Sequence, residues 1–216
     1  PTTAYLNVGS ASCGSATQSI QMTQVPGTGQ EITPTCSTTT SSCNGGTAPG
    51  IQQYSYSAIV SLNPNCPDWH FWVDDCCRND AITTILNPSS EGLYIDAYLD
   101  NTVVDNSSPT FNNAPIVFFC IGQTNYFNLG AVDPDGDSLA YYFIPPRNAA
   151  NDPLQYDSSY SIANPLSSNP AIAIDPITGD ISVTPTQQEI GLISVMVEEY
   201  RNGVLISRVM RDIQVY

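Results

Sequence analysis

The chain is expected to be an all-β protein of two β-sandwich domains. Thr, Val, Ile and Tyr recur in short alternating runs, the pattern of half-buried strands, with no convincing helical period. Seventeen prolines and fourteen glycines punctuate those runs. A length of 216 residues holds two ordinary β domains or one large one.

In chain order, strands are expected at Thr3–Val8, Ser19–Gln24, Gln52–Leu62, Trp69–Asp74 and Leu93–Leu99. Between the second and third lies the Thr-, Ser- and Gly-rich stretch Gly27–Gly50, expected to be an ordered insertion closed by a disulfide. The second half is expected to carry strands at Ile116–Cys120, Tyr126–Leu129, Leu139–Ile144, Ala171–Ile174, Ile181–Val183, Leu192–Tyr200 and Val204–Tyr216. Asn202-Gly203 joins the last two as a type I′ hairpin turn, which needs positive φ at both positions. Seven short strands in about 100 residues point to an immunoglobulin-like or cadherin-like sandwich. The polar, proline-containing stretch Asp100–Pro115 places the domain boundary, giving domains 1–105 and 106–216.

Charge narrows the classes of partner. Twenty acids face five bases for a formal net charge of −15, and every base is an arginine. Such a surface repels phosphate backbones and anionic lipids, which argues against nucleic acid and direct membrane insertion. Cations, or glycans screened by cations, fit better. No apolar stretch is long enough to span a bilayer. With no leader ahead of Pro1, the chain reads as a mature product or a piece of something longer.

Seven cysteines occur with no C-x-x-C pair and with His70 as the only histidine. Disulfides therefore win over zinc, and disulfides imply an extracellular, secreted protein. Cys36 and Cys43 are close enough to close a small loop. Cys76 and Cys77 are neighbours, which on a strand face opposite sides, so each is expected to pair elsewhere: one with Cys13, the other with Cys66. Connectivity itself is not readable from spacing. The odd count leaves one cysteine over, with Cys120 the candidate, a small buried hydrophobe.

The run Asp133-Pro134-Asp135-Gly136-Asp137-Ser138 places three carboxylates at alternate positions between two strand-like segments. Hard cations take six to eight oxygens, and such loops supply them. The expected Ca²⁺ ligands are Asp133, Asp135 and Asp137, joined by Asp175 or Asp180, with Gly136 adopting the positive φ that folds the loop inward. The competing reading is a solvated turn whose aspartates bond their own backbone. Either way the role is stiffening rather than catalysis.

Other motifs carry less. In Trp69-His70-Phe71-Trp72, alternation puts Trp69 and Phe71 on one face and His70 and Trp72 on the other. A sugar platform is conceivable there, but aromatic rings default to packing. His70 has no nucleophile partner at a recognised spacing. Asp74 and Asp75 are adjacent and cannot flank a glycosidic bond. No enzyme is expected. Asn106-Ser107-Ser108 matches an N-glycosylation acceptor, and Asp137-Ser138-Leu139 matches a bacterial O-glycosylation pattern at Ser138.

The segments AVDPDGDSLAYYF, AIAIDPITGDISVTP and GLISVMVEEYRNGVLISRVMRDIQV resemble the cadherin-like and immunoglobulin-like modules of bacterial surface proteins. With CSTTTSSCNGGTAPGIQQYSY, NPNCPDWHFWVDDCCRNDAI and NPSSEGLYIDAYLDNT, nearly the whole chain is similar to large extracellular proteins of the Bacteroidota associated with gliding motility or type nine secretion. The resemblance implies export and a surface or fibre role without catalysis. It also implies that the first domain lacks its N-terminal strand, and that Cys120 lacks the partner found in relatives.

An absent strand leaves an open sheet edge, and the chain has no lysine to protect it. Because the chain starts and stops inside strand-like text, the expected function is a structural subunit of an extracellular filament or surface fibre. Copies of the chain would join head to tail by strand addition through Pro1–Val8 and Val204–Tyr216. The alternative is a Ca²⁺-dependent carbohydrate-binding or adhesion module of a larger adhesin, with surface glycans as partners.

Overall fold

A computed structural model describes residues 3–33, 40–47 and 50–216. It is all-β, with two short 3₁₀ turns at Ser42–Asn44 and Pro88–Ser90. The strands of the first half are β1 (Ala4–Ser10), β2 (Ser15–Gln24), β3 (Gln30–Glu31), β4 (Gln52–Gln53), β5 (Tyr56–Ser57), β6 (Trp69–Cys76) and β7 (Gly92–Leu99). Then follow β8 (Thr110–Phe111), β9 (Ile116–Val117), β10 (Asn125–Asn128), β11 (Ala131–Val132), β12 (Ser138–Ile144), β13 (Arg147–Ala149) and β14 (Asp152–Pro153). The last four are β15 (Ala173–Ile174), β16 (Asp180–Val183), β17 (Gly191–Arg201) and β18 (Val204–Val215). Among the described residues, no helix is long and apolar enough to cross a membrane.

Two compact units are present, and they do not follow the expected division. One is Pro1–Asn7 with Gln18–Ser61; the other is Val8–Thr17 with Leu62–Tyr216. The expected boundary between residues 105 and 106 is corrected by pairing: Leu99, Tyr98 and Ala97 of β7 sit opposite Ser207, Arg208 and Val209 of β18. Strands from both expected domains thus share one sheet, and ladder bonds hold them together more firmly than a polar connecting segment divides them.

In the smaller unit, β2 pairs with β5 at Thr23↔Ser57 and Gln24↔Tyr56, and β3 pairs with β4 at Gln30↔Gln53 and Glu31↔Gln52. The strand expected at Gln52–Leu62 is therefore two short pieces.

In the larger unit, strands run β12-β17-β18-β7-β6 across the main sheet, with β9 parallel to the end of β18. A three-stranded sheet, β10-β16-β15, provides a second layer. Ile193, Val195 and Val197 project from alternate positions of β17 into one apolar cluster with Ile213 and Val215 of β18, and Ile181 and Val183 of β16. Ile181, Val195 and Val197 are fully buried. Each such side chain contributes about 1.5–3 kcal/mol by leaving water, which makes this stripe the main anchor of the layers. Asn202 (φ 53°) and Gly203 (φ 79°) form the expected tight turn between β17 and β18.

The C-terminal strand was expected to be a joining element. Instead β18 pairs with β17 from Val204 to Val215 and carries β7 and β9 on its other flank. Residues Pro1 and Thr2 of the expected N-terminal joining strand lie outside the described residues.

Candidate cation site

The register of β12 against β17 builds the most charged corner of the larger unit. Ser138 lies opposite Tyr200 and Leu139 opposite Glu199. Alternation along β17 carries the buried stripe Ile193, Val195, Val197 one step further, onto Glu199. The core face of the strand thus ends in a carboxylate with 0% of its surface exposed. The loop that precedes β12 delivers Asp133 and Asp137 to the same place, and one carboxylate oxygen from each of Asp133, Asp137 and Glu199 lies within 4.8 Å of the others.

Each member is oriented by its neighbours. Asp133 Oδ1 accepts the backbone N–H groups of Asp135 and Asp137, both at 2.9 Å, while its Oδ2 is buried with no hydrogen-bond partner. Glu199 Oε2 accepts from Ser207 Oγ at 2.7 Å and Asn106 Nδ2 at 3.0 Å, while its Oε1 is likewise buried without a partner. Asp137 is gripped by Arg201, whose Nε lies 2.8 and 3.0 Å from the two carboxylate oxygens. Burial pushes the Glu199 carboxyl up to about 7, and the nearby Asp133 charge adds to the rise against the bonds from Ser207 and Asn106. The hydrogen bonds from Arg201 hold Asp137 below the usual carboxylate range, against its partial desolvation.

The expected ligand set changes accordingly. Asp133 and Asp137 come together, and Glu199 joins them. Asp135 turns away, accepting Ser107 N–H at 2.7 Å and pairing with Arg201 at 3.2 Å. Asp175 accepts the N–H groups of Ile177 and Thr178 at 2.8 Å and caps its own turn, which lowers its pKa. Asp180 bonds Asn128 and Thr178. Gly136 has the expected positive φ, 81°. Nothing local marks Glu199 as a partner of the loop. Its one sequence signal is a glutamate in phase with an apolar stripe.

The expected glycosylation at Asn106 meets a structural obstacle. Its amide nitrogen, where a glycan would attach, is the donor to Glu199. Ser138 is exposed at the start of β12.

The cysteine pairing is corrected. Cys13 bonds Cys66, with Cα atoms 6.1 Å apart, and Cys76 bonds its neighbour Cys77. The alternation rule failed because β6 ends at Cys76, so Cys77 is not held to the opposite face of a strand. Cys36 lies outside the described residues, and among those residues Cys43 and Cys120 carry no disulfide. Cys120 is exposed rather than buried.

The aromatic strand forms a ladder. His70 stacks on Trp72 at 4.7 Å and on Tyr98 at 4.2 Å between ring centroids, and Arg208 lies over the Tyr98 ring at 5.1 Å. Beneath them, Asp96 accepts from Arg147 at 2.9 Å, and the Tyr94 hydroxyl meets His70 Nε2 at 3.1 Å. A cleft of about 320 Å³ runs past Asp68, His70, Trp72 and Tyr98. His70 thus stacks on two rings, and Tyr98 meets both His70 and Arg208.

Comparison of the chain with family models, with curated proteins and with solved structures returned no match.

Proposed function

We propose that this chain is a structural module of an extracellular fibre or surface protein, in which neighbouring copies join along an open sheet edge. The carrying observation is β12: seven residues at the end of the main sheet, paired with β17 and with no second strand partner among the described residues, although its Tyr141 N–H donates to the Pro176 carbonyl at 3.0 Å. An edge of this length is a template for strand addition. The chain has no lysine with which to guard it. Edge-on joining replaces the expected donation by the C-terminal strand, which is occupied inside the sheet. The Cys13–Cys66 bond supports an oxidising, extracellular setting. A net charge of −15 makes copies repel one another, so assembly would strengthen with added salt.

The test is negative-stain electron microscopy with sedimentation over a concentration series in low and high salt. Fibres or concentration-dependent oligomers are expected. Tyr142→Lys, at an exposed position of β12, should disperse them while circular dichroism stays unchanged. A strictly monomeric protein at all concentrations and salts would overturn the reading.

A glycan-binding role has one supporting feature, the cleft beside Asp68 and Trp72. It is the weaker reading, because the rings along the cleft mostly stack on each other and leave little flat surface for a sugar.

A further inference from the structure

We infer that Asp133, Asp137 and Glu199 form a Ca²⁺ site that ties the loop before β12 to the end of β17. The reason is not the acidity of the corner alone. Glu199 is completely buried, and one of its oxygens has no hydrogen-bond partner. A buried carboxylate oxygen without a partner is costly whenever the group is ionised, since it loses its water and gains nothing in return. Asp133 repeats the arrangement: its Oδ1 is held by two backbone N–H groups and its Oδ2 is buried and unpaired. In both residues one oxygen is fixed by protein donors, and the free oxygen belongs to a carboxylate of the same cluster. That is how a preorganised ligand set is held.

The spacing admits calcium. Two oxygens on one ion can be no further apart than twice the bond length, about 4.6–5.2 Å for Ca²⁺ and about 4.0–4.2 Å for Mg²⁺. The three oxygens lie within 4.8 Å of one another. Carboxylate oxygens are the donors that hard cations prefer, and a glycine-containing loop gives the adjustable geometry that calcium tolerates. Arg201 does not take the ion's place. Its guanidinium engages Asp137, Asp135, Asn106 and the Asp105 carbonyl, and leaves Asp133 and Glu199 without a cation. The Asp137 carboxylate has lone pairs to spare beyond those given to Arg201. The inference is independent of how copies assemble.

The full chain, stripped with a chelator, is titrated with CaCl₂ by calorimetry and melted with and without the ion. One Ca²⁺ per chain is expected, with a raised Tm and weaker competition by Mg²⁺. Glu199→Gln keeps the volume and removes the charge. It should weaken Ca²⁺ binding about 10–100-fold. Asp175→Asn should leave the affinity unchanged, since that side chain caps a turn elsewhere. No binding heat up to about 10 mM Ca²⁺, beyond the range of weak extracellular sites, would overturn the inference. Equal affinity in Glu199→Gln and the parent would overturn it as well. Should Glu199→Gln fail to fold, Asp133→Asn read by the same titration decides, with retained affinity counting against the site.

Discussion

Arg78 and Asp212 form a bidentate ion pair in the interior of the larger unit. Nη1 and Nη2 donate to the two carboxylate oxygens at 3.1 and 3.0 Å, and the side chains are 3% and 7% exposed. The same guanidinium donates to the Gly92 carbonyl at 2.8 Å and to the Arg147 carbonyl at 3.1 Å, while Ser194 donates to Asp212. One side chain thus joins the segment after β6 to β7, β13 and β18.

A buried pair is strongly destabilising to break, because the survivor is left charged and unpaired. Arg78→Ala is expected to cost about 3–5 kcal/mol in urea unfolding. The double change Arg78→Met with Asp212→Leu should recover most of that loss, since no charge is stranded. A double variant as unstable as the single one would show that the carbonyl contacts of Arg78, rather than the ion pair, carry the effect.

The two disulfides among the described residues should differ sharply in worth. Cys13 and Cys66 are separated by 53 positions and bracket Gln18–Ser61 of the smaller unit, so their bond removes much freedom from the unfolded chain. Replacing both with Ser is expected to cost roughly 4 kcal/mol on chain-entropy grounds. Cys76 and Cys77 are adjacent and close almost no loop, so their replacement with Ser should change stability little. Peptide mapping under non-reducing conditions checks the pairing, and thermal melts of the two double variants check the ranking.

Asp68 predicts the acid limb of the stability curve. Its carboxylate accepts the Ser10 and Ser12 hydroxyls at 2.5 Å and the Ser12 N–H at 2.9 Å, and these bonds, Ser10 first, lower its pKa from 3.8. A carboxylate with a lowered folded pKa stabilises fully above its unfolded value. That contribution fades as pH falls from there through the folded value. Unfolding followed between neutral pH and strong acid should therefore show a loss below the ordinary carboxylate range, and Asp68→Asn should flatten that part of the curve. An unchanged slope would show that Asp68 does not contribute to it.

The β17–β18 turn offers a local test. Gly203 has φ 79°, in the left-handed region that a side chain disfavours, and a Cβ there would meet open space. Gly203→Val is thus expected to destabilise through the backbone alone, by about 1–2 kcal/mol. Chemical unfolding measures it, and no change in midpoint would mean that the hairpin relaxes to another turn type.

Much of the sheet was legible in the residues. The alternation in Trp69–Asp74, Leu93–Leu99, Leu139–Ile144, Leu192–Tyr200 and Val204–Tyr216 anticipates β6, β7, β12, β17 and β18 to within a few residues. The hairpin of β13 and β14 was missed, since Arg147-Asn148-Ala149 and Asp152-Pro153 have neither alternation nor strand-forming residues. β13 is held against β7, where Arg147 lies opposite Tyr94 and its head reaches Asp96, and β14 pairs on it. At the candidate site, Asp133, Asp137 and the turn at Gly136 are visible as a local motif, while Asp135 and Asp175 turn to other partners, because spacing says nothing of where a side chain turns.

The amino-acid sequence by itself determined the all-β character, the type I′ turn at Asn202-Gly203 and the acidic loop at Asp133–Asp137, because each depends on neighbours within a few positions. Tertiary structure decided that β7 and β18 share a sheet, that Cys13 meets Cys66, and that Glu199 closes the carboxylate cluster. Those outcomes depend on strand register between distant segments, where a shift of one residue would turn Glu199 from the core face to the other.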